Sequence, residues 1–358
     1  MTLILSNDDV SKLLTMPECI AALEEAYVEL AEGRGVNRTR SDTLTPTTYP
    51  DATYGLKSMD GVVPKLGVGA VRINSDIVTW PQRGNNVRRE KVPAAPGNRW
   101  VGLVLLFSTH NGEPLAIFPD GVLQRTRVGA TNGLGAKYLS RPDAETVGIL
   151  GSGWQAGTQL RAVCSVRGIK RIRCFSPNKD NREKFAREMS EDLGVTVTPV
   201  SQPEDAIKGA DIAMCATNSI DNIFFQQWVE PGMHLSEIKR PEIENAALAK
   251  ADRIVIHTQD TAPLHFSTKG LNVSEKVKTK GWGAAKETLD ITKLPTLPEL
   301  IVGRAKGREK PEHVTAFLNN LGMGFQFAAA GSVVYRKAKE AGAGHELPTD
   351  WFTEDVHP

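Results

Sequence analysis

The sequence predicts an α/β protein built from a Rossmann-type, doubly wound parallel sheet and a second α+β domain. Two observations carry this prediction. First, an apolar strand at residues 147–150 ends in a glycine turn and is followed by alternating helical and apolar segments, the order typical of a parallel sheet. Second, a chain of 358 residues exceeds one typical hydrophobic core and suits two.

The glycine turn at residues 151–156 has the composition of a pyrophosphate cradle. Gly151 permits a tight turn, Gly153 lets backbone approach a phosphate, and Ala156 lets the next helix pack on the sheet. The N-terminus of that helix offers unpaired N–H groups to an anion. The predicted cofactor-binding residues here are Gly151, Ser152, Gly153, Trp154, Gln155 and Ala156.

The segments after the turn follow the order of repeated β-α-β units. A helix to about Arg167, a stop at Gly168 and a strand at 170–175 complete the first unit within roughly thirty residues. Later segments predict helices over 184–193 and 202–208 and strands over 195–197, 211–215 and 253–257. We therefore expect the dinucleotide-binding domain to span residues 136–310.

Residues 1–135 predict a different kind of domain. Apolar residues at helical spacing over 8–32 indicate two helices with a break near Pro17. Strand-like segments follow at 54–58, 67–73, 102–107 and 115–118, the last two joined by a tight turn at 110–114. These segments predict an antiparallel or mixed sheet.

Three further segments are assigned to this first domain or its border. Small residues over 127–139 predict a tightly packed helix leading into the Rossmann domain. Residues 314–341 predict a long Ala- and Gly-rich helix that returns to the first domain, so 311–358 are grouped with 1–135. The polar stretch 74–98 indicates a surface loop or, alternatively, a lid or partner-binding arm.

Charge and composition argue against several classes of function. The formal net charge of +1 argues against a dedicated nucleic-acid or anionic membrane surface. The sequence lacks an apolar run of the roughly 18 residues that a membrane span needs, and its N-terminus lacks a basic signal region. The four cysteines lack metal-ligand spacing. We expect a cytoplasmic protein without nucleic-acid, membrane or metal partners.

Residues at the ends of two predicted strands indicate the cofactor. An acidic residue after the second strand would bind the ribose 2'-hydroxyl of NAD, but none follows Phe175 before Asp180. A polar, cationic set suited to a 2'-phosphate stands there instead, namely Ser176, Asn178, Lys179 and Arg182. NADP(H) is therefore favoured over NAD(H). Thr217 and Asn218, after the strand at 211–215, are expected to contact the nicotinamide ribose.

Together these segments resemble the ornithine cyclodeaminase and mu-crystallin family over most of the chain. The likeness is carried by residues 102–107, 112–116, 127–139, 151–156 with Gln155, 231–234, 251–255 and 321–324. The resemblance implies a homodimer whose first domain serves dimerisation and substrate binding and whose Rossmann domain binds NAD(H) or NADP(H). It also implies hydride transfer at the α-carbon of a small amino, imino or keto carboxylate.

The resemblance further implies a cationic clamp for the substrate carboxylate, for which the planar fork of arginine is suited. Arg127 matches the family arginine that pairs with this carboxylate. Arg40 matches a second arginine, unless a register shift of two gives that role to Arg38. Arg72 stands where the family carries an active-site lysine, and Lys57 on the neighbouring strand is a substitute for that lysine.

Two departures from the family pattern indicate a rebuilt active site. The segment after His234 is about four residues shorter and lacks a clear counterpart of the catalytic aspartate, so Glu237 or Glu242 is a stand-in general acid or base if burial raises its pKa. Phe327 occupies a position that is usually aspartate. The candidate catalytic residues are therefore Arg72, Glu237 and Lys57.

These departures favour an NAD(P)-dependent imine reductase or amino-acid dehydrogenase over ornithine cyclisation. The carboxylate clamp and the cofactor turn are retained, whereas the lysine and aspartate suited to carry an amine through ring closure are absent. Two alternatives stay open. One is a cyclodeaminase-like ammonia lyase with retained NAD, and the other is a non-catalytic protein that binds NADP or another ligand.

Overall fold

The computed structural model describes residues 1–83, 86–87, 90–219, 221–260, 262–271 and 289–356. This part of the chain forms two large sheets with helices packed on them. The helices are α1 (Asn7–Leu13), α2 (Met16–Ala31), α3 (Gly121–Leu139), α4 (Trp154–Val166), α5 (Lys179–Leu193), α6 (Pro203–Ile207), α7 (Asn245–Leu248), α8 (Leu297–Ile301) and α9 (Phe325–Ala341). Short 3-10 helices lie at Pro64–Leu66, Gln226–Trp228, Ile291–Lys293 and Thr349–Phe352.

One sheet is parallel throughout and confirms the Rossmann-type prediction. Its strands are β11 (Thr146–Leu150), β12 (Arg171–Phe175), β13 (Val197–Pro199), β14 (Ile212–Cys215), β15 (His234–Glu237), β16 (Arg253–Ile256) and β18 (Thr315–Leu318). Their order across the sheet is β13-β12-β11-β14-β15-β18-β16. Every residue of β11, β14, β15 and β18 is buried, as expected when helices cover both faces.

The second sheet is mixed, as the sequence predicts. Its strands are β1 (Thr2–Ile4), β2 (Val36–Asn37), β3 (Ser41–Pro46), β4 (Ala52–Val63), β5 (Val68–Thr79), β8 (Glu90–Val92), β9 (Val101–Ser108), β10 (Pro114–Pro119), β17 (Leu264–Ser267) and β19 (His345–Leu347), while β6 (Gln82–Arg83) and β7 (Asn86–Val87) pair separately. The main order is β17-β3-β4-β5-β9-β10-β1-β19. Only one face is buried in β4 and β5, where buried residues alternate with more exposed ones.

The N-terminal helices confirm the predicted pair and its break. Ser6 with Asp9 and Thr15 with Glu18 form capping boxes at the starts of α1 and α2. Pro17 lies in the first turn of α2, where its missing N–H has no intrahelical partner to lose. The two helices are therefore separate elements because each has its own cap.

Two secondary-structure predictions are wrong. The predicted helix at 314–341 is divided into strand β18 and helix α9, because the short apolar run of β18 has no period that separates it from an apolar helix. The predicted loop at 74–98 begins inside a strand, since β5 continues to Thr79 and pairs with β8. Buried polar residues in that part of β5 hid the strand alternation.

The division into residues 1–135 with 311–358 and residues 136–310 stays a prediction, and two strands cross it. Strand β18 pairs with β15 and β16 in the parallel sheet, although it lies in the range grouped with the first domain. Strand β17 pairs with β3 in the mixed sheet, although it lies in the range of the second. Sequence patterns specify the type of an element and leave its partner open.

Helix α3 packs tightly between the two sheets. A Cβ added at Gly129 would lie 2.6 Å from the carbonyl oxygen of Thr158, and a Cβ added at Gly135 would lie 2.5 Å from the ring of Phe317. These glycines therefore allow α3 to contact both α4 and β18 closely. No helix of the described residues is long and apolar enough to cross a membrane.

Candidate active site

The turn between β11 and α4 has room for an anion. Gly151 has φ +125°, and an added Cβ would lie 2.2 Å from the carbonyl oxygen of Ala216, so only glycine fits there. At Gly153 an added Cβ would meet no heavy atom within 4 Å among the described residues. Gly153 is the N-cap residue of α4, and it has no side chain to bond the free N–H groups of the first turn. The positive end of α4 is thus open to a phosphate.

The other residues of the turn frame this opening. Ser152 is half-buried between the two glycines, and Ala156 is fully buried against the sheet. Trp154 remains 58% exposed, and the guanidinium of Arg125 lies 4.9 Å from its ring centroid, a cation–π arrangement. Gln155 is half-buried. All six predicted residues therefore lie together at the head of α4.

The four residues predicted to select NADP(H) lie together at the carboxyl end of β12. Asn178 caps α5 by accepting a hydrogen bond from the Asn181 N–H at 2.9 Å. Arg182 donates to the Ser176 carbonyl at 3.0 Å. These hydrogen bonds stabilise the turn, so the side chains of Asn178 and Arg182 have a structural role. Lys179 is exposed.

Thr217 and Asn218 lie at the carboxyl end of β14, the strand beside β11. The Cγ2 atom of Thr217 would lie 3.3 Å from a Cβ added at Gly151, so Thr217 borders the glycine turn. Its hydroxyl and its N–H each donate to Oε1 of Glu242 at 2.6 Å. Burial raises the pKa of Glu242 despite these bonds. Glu242 thus fixes the loop that Thr217 begins.

Glu237 ends β15 and is fully buried. Its carboxylate accepts a hydrogen bond from the Ile243 N–H at 3.0 Å and lies 3.2 Å from a guanidinium nitrogen of Arg240. Burial raises the pKa of Glu237 to about 7, and the nearby Arg240 opposes this rise. These partners belong to the loop that follows β15. A catalytic role for Glu237 stays a prediction.

Arg127 is a buried cation held by neutral groups. It donates to Oε1 of Gln326 at 2.9 Å and to Oε1 of Gln124 at 2.8 Å, and its guanidinium lies 5.2 Å from the Phe327 ring centroid. No carboxylate pairs with it in the described part of the chain. Burial lowers the pKa of Arg127 to about 9, and Arg72 adds to this effect. An uncompensated buried charge of this kind is costly without a bound anion.

Arg72, by contrast, has its counter-ion inside the protein. Its Nε lies 2.7 Å from Oδ2 of Asp120, and its guanidinium lies 5.8 Å from the Phe327 ring centroid. A Cβ at Gly102 would lie 2.2 Å from Oδ1 of Asp120, so Gly102 makes room for this carboxylate. Asp120 is not among the residues predicted from the sequence, although an aspartate before a helix at a strand end is a recognisable signal.

Lys57 lies in a buried ionic cluster. Its Nζ is 2.7 Å from Oδ2 of Asp76, whose Oδ1 lies 2.8 Å from Nζ of Lys91. Burial alone would raise the pKa of Asp76, but Lys57 and Lys91 more than offset it and hold this pKa below its ordinary value. The cluster therefore carries two cations on one carboxylate.

Arg40 is also matched with a carboxylate. Its Nε and Nη2 donate to the two oxygens of Asp42 at 2.7 and 2.6 Å, a bidentate pair. Nε2 of His265 lies 3.7 Å from the same carboxylate. The alternative residue, Arg38, forms an exposed pair with Asp60. Arg40 is the better buried of the two arginines.

The register of the mixed sheet places Asp42, Lys57, Asn74 and Arg72 on one face. Asp42 of β3 is opposite Lys57 of β4, and Lys57 is opposite Asn74 of β5. Arg72 lies two residues before Asn74, so both side chains emerge on the same face. Arg72 and Arg127 contact the same Phe327 ring. These contacts connect the clamp predicted at Arg127 with the polar face of the sheet.

A glycine turn open to phosphate at the head of a parallel sheet is the dinucleotide site of nicotinamide-dependent oxidoreductases, the class of enzyme that this fold and site define. The chain belongs to the ornithine cyclodeaminase/mu-crystallin family, whose sequence model matches residues 86–342.

Similar proteins of known name span nearly the whole chain. A Delta(1)-pyrroline-2-carboxylate reductase of Bacillus cereus is 26% identical over 352 residues, covering 96% of this chain and 99% of that protein. The structure of the Thermococcus litoralis reductase of the same name, in complex with NADH and L-proline, superposes with a TM-score of 0.77 at 26% identity, covering 97% of this chain and 100% of that chain. An archaeal alanine dehydrogenase dimer with bound NAD gives a TM-score of 0.76 at 25% identity, covering 97% and 99%.

Proposed function

We propose that this protein reduces the C=N bond of a small imino carboxylate, or the equivalent intermediate of an amino acid, with a nicotinamide cofactor. The observation that carries the proposal is Arg127, a buried guanidinium without a carboxylate partner among the described residues. A substrate carboxylate would compensate this charge and be held by its planar fork. The names of the similar proteins, which include pyrroline-2-carboxylate, L-proline and alanine, support a substrate of this size.

The three arginines of the proposed clamp indicate one substrate carboxylate rather than two. Arg40 is matched bidentately by Asp42, and Arg72 is matched by Asp120. Only Arg127 of these three has no such match in the described structure. We therefore infer a monocarboxylate whose carbon–nitrogen bond lies beyond the carboxylate held by Arg127.

The polar face of the mixed sheet carries a residue that can donate the proton needed for the reduction. Reduction of C=N places a hydride on carbon and a proton on nitrogen, and the bound cofactor supplies the hydride. Lys57 is our candidate proton donor, because its ammonium is buried on the sheet face that also carries Arg72. Asp76 holds this ammonium in place at 2.7 Å. The Glu237 carboxyl is engaged within its own loop, which makes it the weaker candidate.

The cofactor proposal is NADP(H) in preference to NAD(H). No acidic residue follows β12 before Asp180, and Lys179 projects into solvent at the start of α5. A 2'-phosphate would gain a cation and the N-terminal end of α5. The similar structures contain NADH and NAD, so a direct comparison of the two cofactors is the decisive measurement.

A homodimer is proposed through the outer face of the mixed sheet. Phe266, Thr43, Leu56, Ser75 and Val101 are in register across five strands. They lie on the face opposite Lys57, because alternate residues of a strand point to opposite faces. Phe266 is 58% exposed, Leu56 43% and Val101 41%. The three apolar members of this row, which also contains Thr43 and Ser75, form an exposed patch typical of an association surface.

The activity is tested by titrating the purified protein with NADPH or NADH and either Delta(1)-pyrroline-2-carboxylate or pyruvate with ammonia, and with the oxidised cofactors and ornithine. We expect oxidation of the reduced cofactor with the imino carboxylate. Arg127→Met should lower kcat/KM at least 100-fold, since loss of one partner of a buried charge pair costs about 3–5 kcal/mol. Arg161→Met, which breaks an exposed pair with Asp192, is the matched control.

Two other outcomes would assign a different function. Ammonia release from ornithine without net change in reduced cofactor would indicate a cyclodeaminase-like lyase. Stoichiometric cofactor binding without turnover of any compound would indicate a binding protein. Full activity of Arg127→Met would contradict the carboxylate clamp.

A further inference from the structure

The uncharged residues around Arg127 belong to a continuous network of buried hydrogen bonds. Oε1 of Gln326 accepts from Arg127 at 2.9 Å and from the Met323 N–H at 2.9 Å. Nε2 of Gln326 donates to the Tyr27 hydroxyl oxygen at 2.9 Å and to the Thr131 hydroxyl oxygen at 2.6 Å. Gln326 is fully buried, and both the oxygen and the nitrogen of its amide form hydrogen bonds.

The direction of the hydrogen bonds at the Tyr27 hydroxyl follows from one histidine. Nδ1 of His257 lies 2.6 Å from the Leu321 carbonyl, which can only accept, so Nδ1 carries the hydrogen. Nε2 is therefore an acceptor, and the Tyr27 hydroxyl donates to it at 2.6 Å. Burial lowers the pKa of His257 to about 3, with Arg127 adding to the effect. The ring stays neutral at physiological pH.

The orientation of the Gln326 amide is consequently fixed. With its hydrogen given to His257, the oxygen of Tyr27 is available only as an acceptor. The Thr131 hydroxyl donates to the Arg127 carbonyl at 2.8 Å, so its oxygen also accepts. The amide nitrogen of Gln326 must point to these two oxygens, and its carbonyl oxygen must point to Arg127.

We propose that Gln326 is a positioning residue of the carboxylate clamp, held in one orientation by Tyr27 and His257 so that it orients Arg127 without neutralising it. This inference rests on the proposed role of Arg127. A neutral acceptor leaves the positive charge available to the substrate. A carboxylate at position 326 would occupy the same direction and compete with the substrate carboxylate for that charge.

The test is Gln326→Glu, which keeps the shape and adds the competing charge. With Delta(1)-pyrroline-2-carboxylate as probe, we expect KM to rise at least tenfold while the dissociation constant of the reduced cofactor stays within twofold. Gln202→Glu is the matched control, because Gln202 is exposed and makes no side-chain hydrogen bond to the helix that it precedes. An unchanged KM in a folded Gln326→Glu protein would overturn the proposal.

Two further variants separate positioning from general packing. Tyr27→Phe removes only the hydroxyl and should raise KM about threefold or more, with the melting temperature recorded beside it. In an Arg127→Met background, Tyr27→Phe should change KM no further, because its effect passes through Arg127. Equal effects in both backgrounds would show a packing role and refute the inference. If Arg127→Met itself leaves activity intact, the proposed function fails instead.

Discussion

Arg72 places its Nε 2.7 Å and its Nη2 2.6 Å from the same carboxylate oxygen of Asp120. Arg72 is thereby neutralised from within the protein. Arg127, which shares the Phe327 ring with Arg72, has no carboxylate of its own in the described part of the structure. The two guanidiniums are thus chemically distinct, and only the charge of Arg127 is left for a ligand.

Asp120→Asn should destabilise the protein. The asparagine keeps the shape but leaves Arg72 as a second buried, uncompensated guanidinium, which costs about 3–5 kcal/mol. The free energy of unfolding from urea titration measures the effect. Asp192→Asn removes an exposed partner of Arg161 and should change stability by less than about 1 kcal/mol. Equal stabilities of the two variants would contradict this account of the Arg72–Asp120 pair.

The two glycines of the phosphate turn should respond oppositely to alanine. Gly151→Ala places Cβ 2.2 Å from a backbone oxygen at φ +125°, so we expect a large loss of stability. Gly153→Ala meets open space and should fold normally, yet bind cofactor at least tenfold more weakly because the methyl group enters the phosphate space. Thermal melting and cofactor fluorescence titration separate the two effects. Normal cofactor affinity of Gly153→Ala would argue against a phosphate at this turn.

The contrast between these glycines shows what the sequence could predict. The Gly-x-Gly-x-x-Ala spacing carries its own physical reason, since a tight turn and a close backbone approach need residues without side chains. The spacing therefore predicts the turn at 151–156 and a helix after it to about Arg167, and the helix observed is Trp154–Val166. The strand–helix alternation that follows predicted the parallel sheet in the same way.

Contacts between distant segments could not be predicted in this way. In the sequence, Gln326 is one polar residue in an Ala-rich helix. Its role depends on a hydrogen bond with Tyr27, which lies 299 residues away in the chain. The role of Asp120 depends on its ion pair with Arg72, which lies on strand β5. The helix predicted over residues 314–341 is wrong at strand β18 because a short apolar run lacks a helical or strand period. Pairing depends on tertiary structure, which a local pattern does not contain.

The buried Glu237 should make stability depend on pH. Burial raises the pKa of Glu237 from 4.5 to about 7, so the folded state holds this proton more tightly than the unfolded state. Its contribution is complete below pH 4.5 and is lost as the pH rises through 7. A tenfold difference in proton affinity corresponds to about 1.4 kcal/mol, so this contribution is on the order of a few kcal/mol.

We expect Glu237→Gln to remove this part of the pH dependence. Unfolding free energies at pH 4.5 and pH 8 should differ less in the variant than in the parent, whereas Glu340→Gln at an exposed site should behave like the parent. If Glu237 instead acts as a general acid or base, the pH profile of kcat should lose a limb in Glu237→Gln. A parent stability that rises between these pH values, equally in both proteins, would contradict the assigned pKa shift.

Lys179 should select the cofactor if NADP(H) is bound. Lys179→Glu would place a negative charge beside the 2'-phosphate and should raise the dissociation constant of NADPH tenfold or more, with little change for NADH. Lys184→Glu, farther along α5 and also exposed, controls for the change in net charge. Tighter binding of NADH than NADPH by the parent protein would refute the preference.

The outer face of the mixed sheet should hold the dimer together. Leu56→Asp introduces a charge at the centre of the apolar row formed with Phe266 and Val101, and burying an unpaired carboxylate there would oppose association. We expect the parent to elute with the mass of a dimer in light-scattering chromatography, and Leu56→Asp to shift toward the monomer mass. Val356→Asp, at a site 70% exposed outside this row, should leave the mass unchanged. A dimeric Leu56→Asp protein would place the interface elsewhere, because a buried aspartate cannot be accommodated in an apolar contact without a partner.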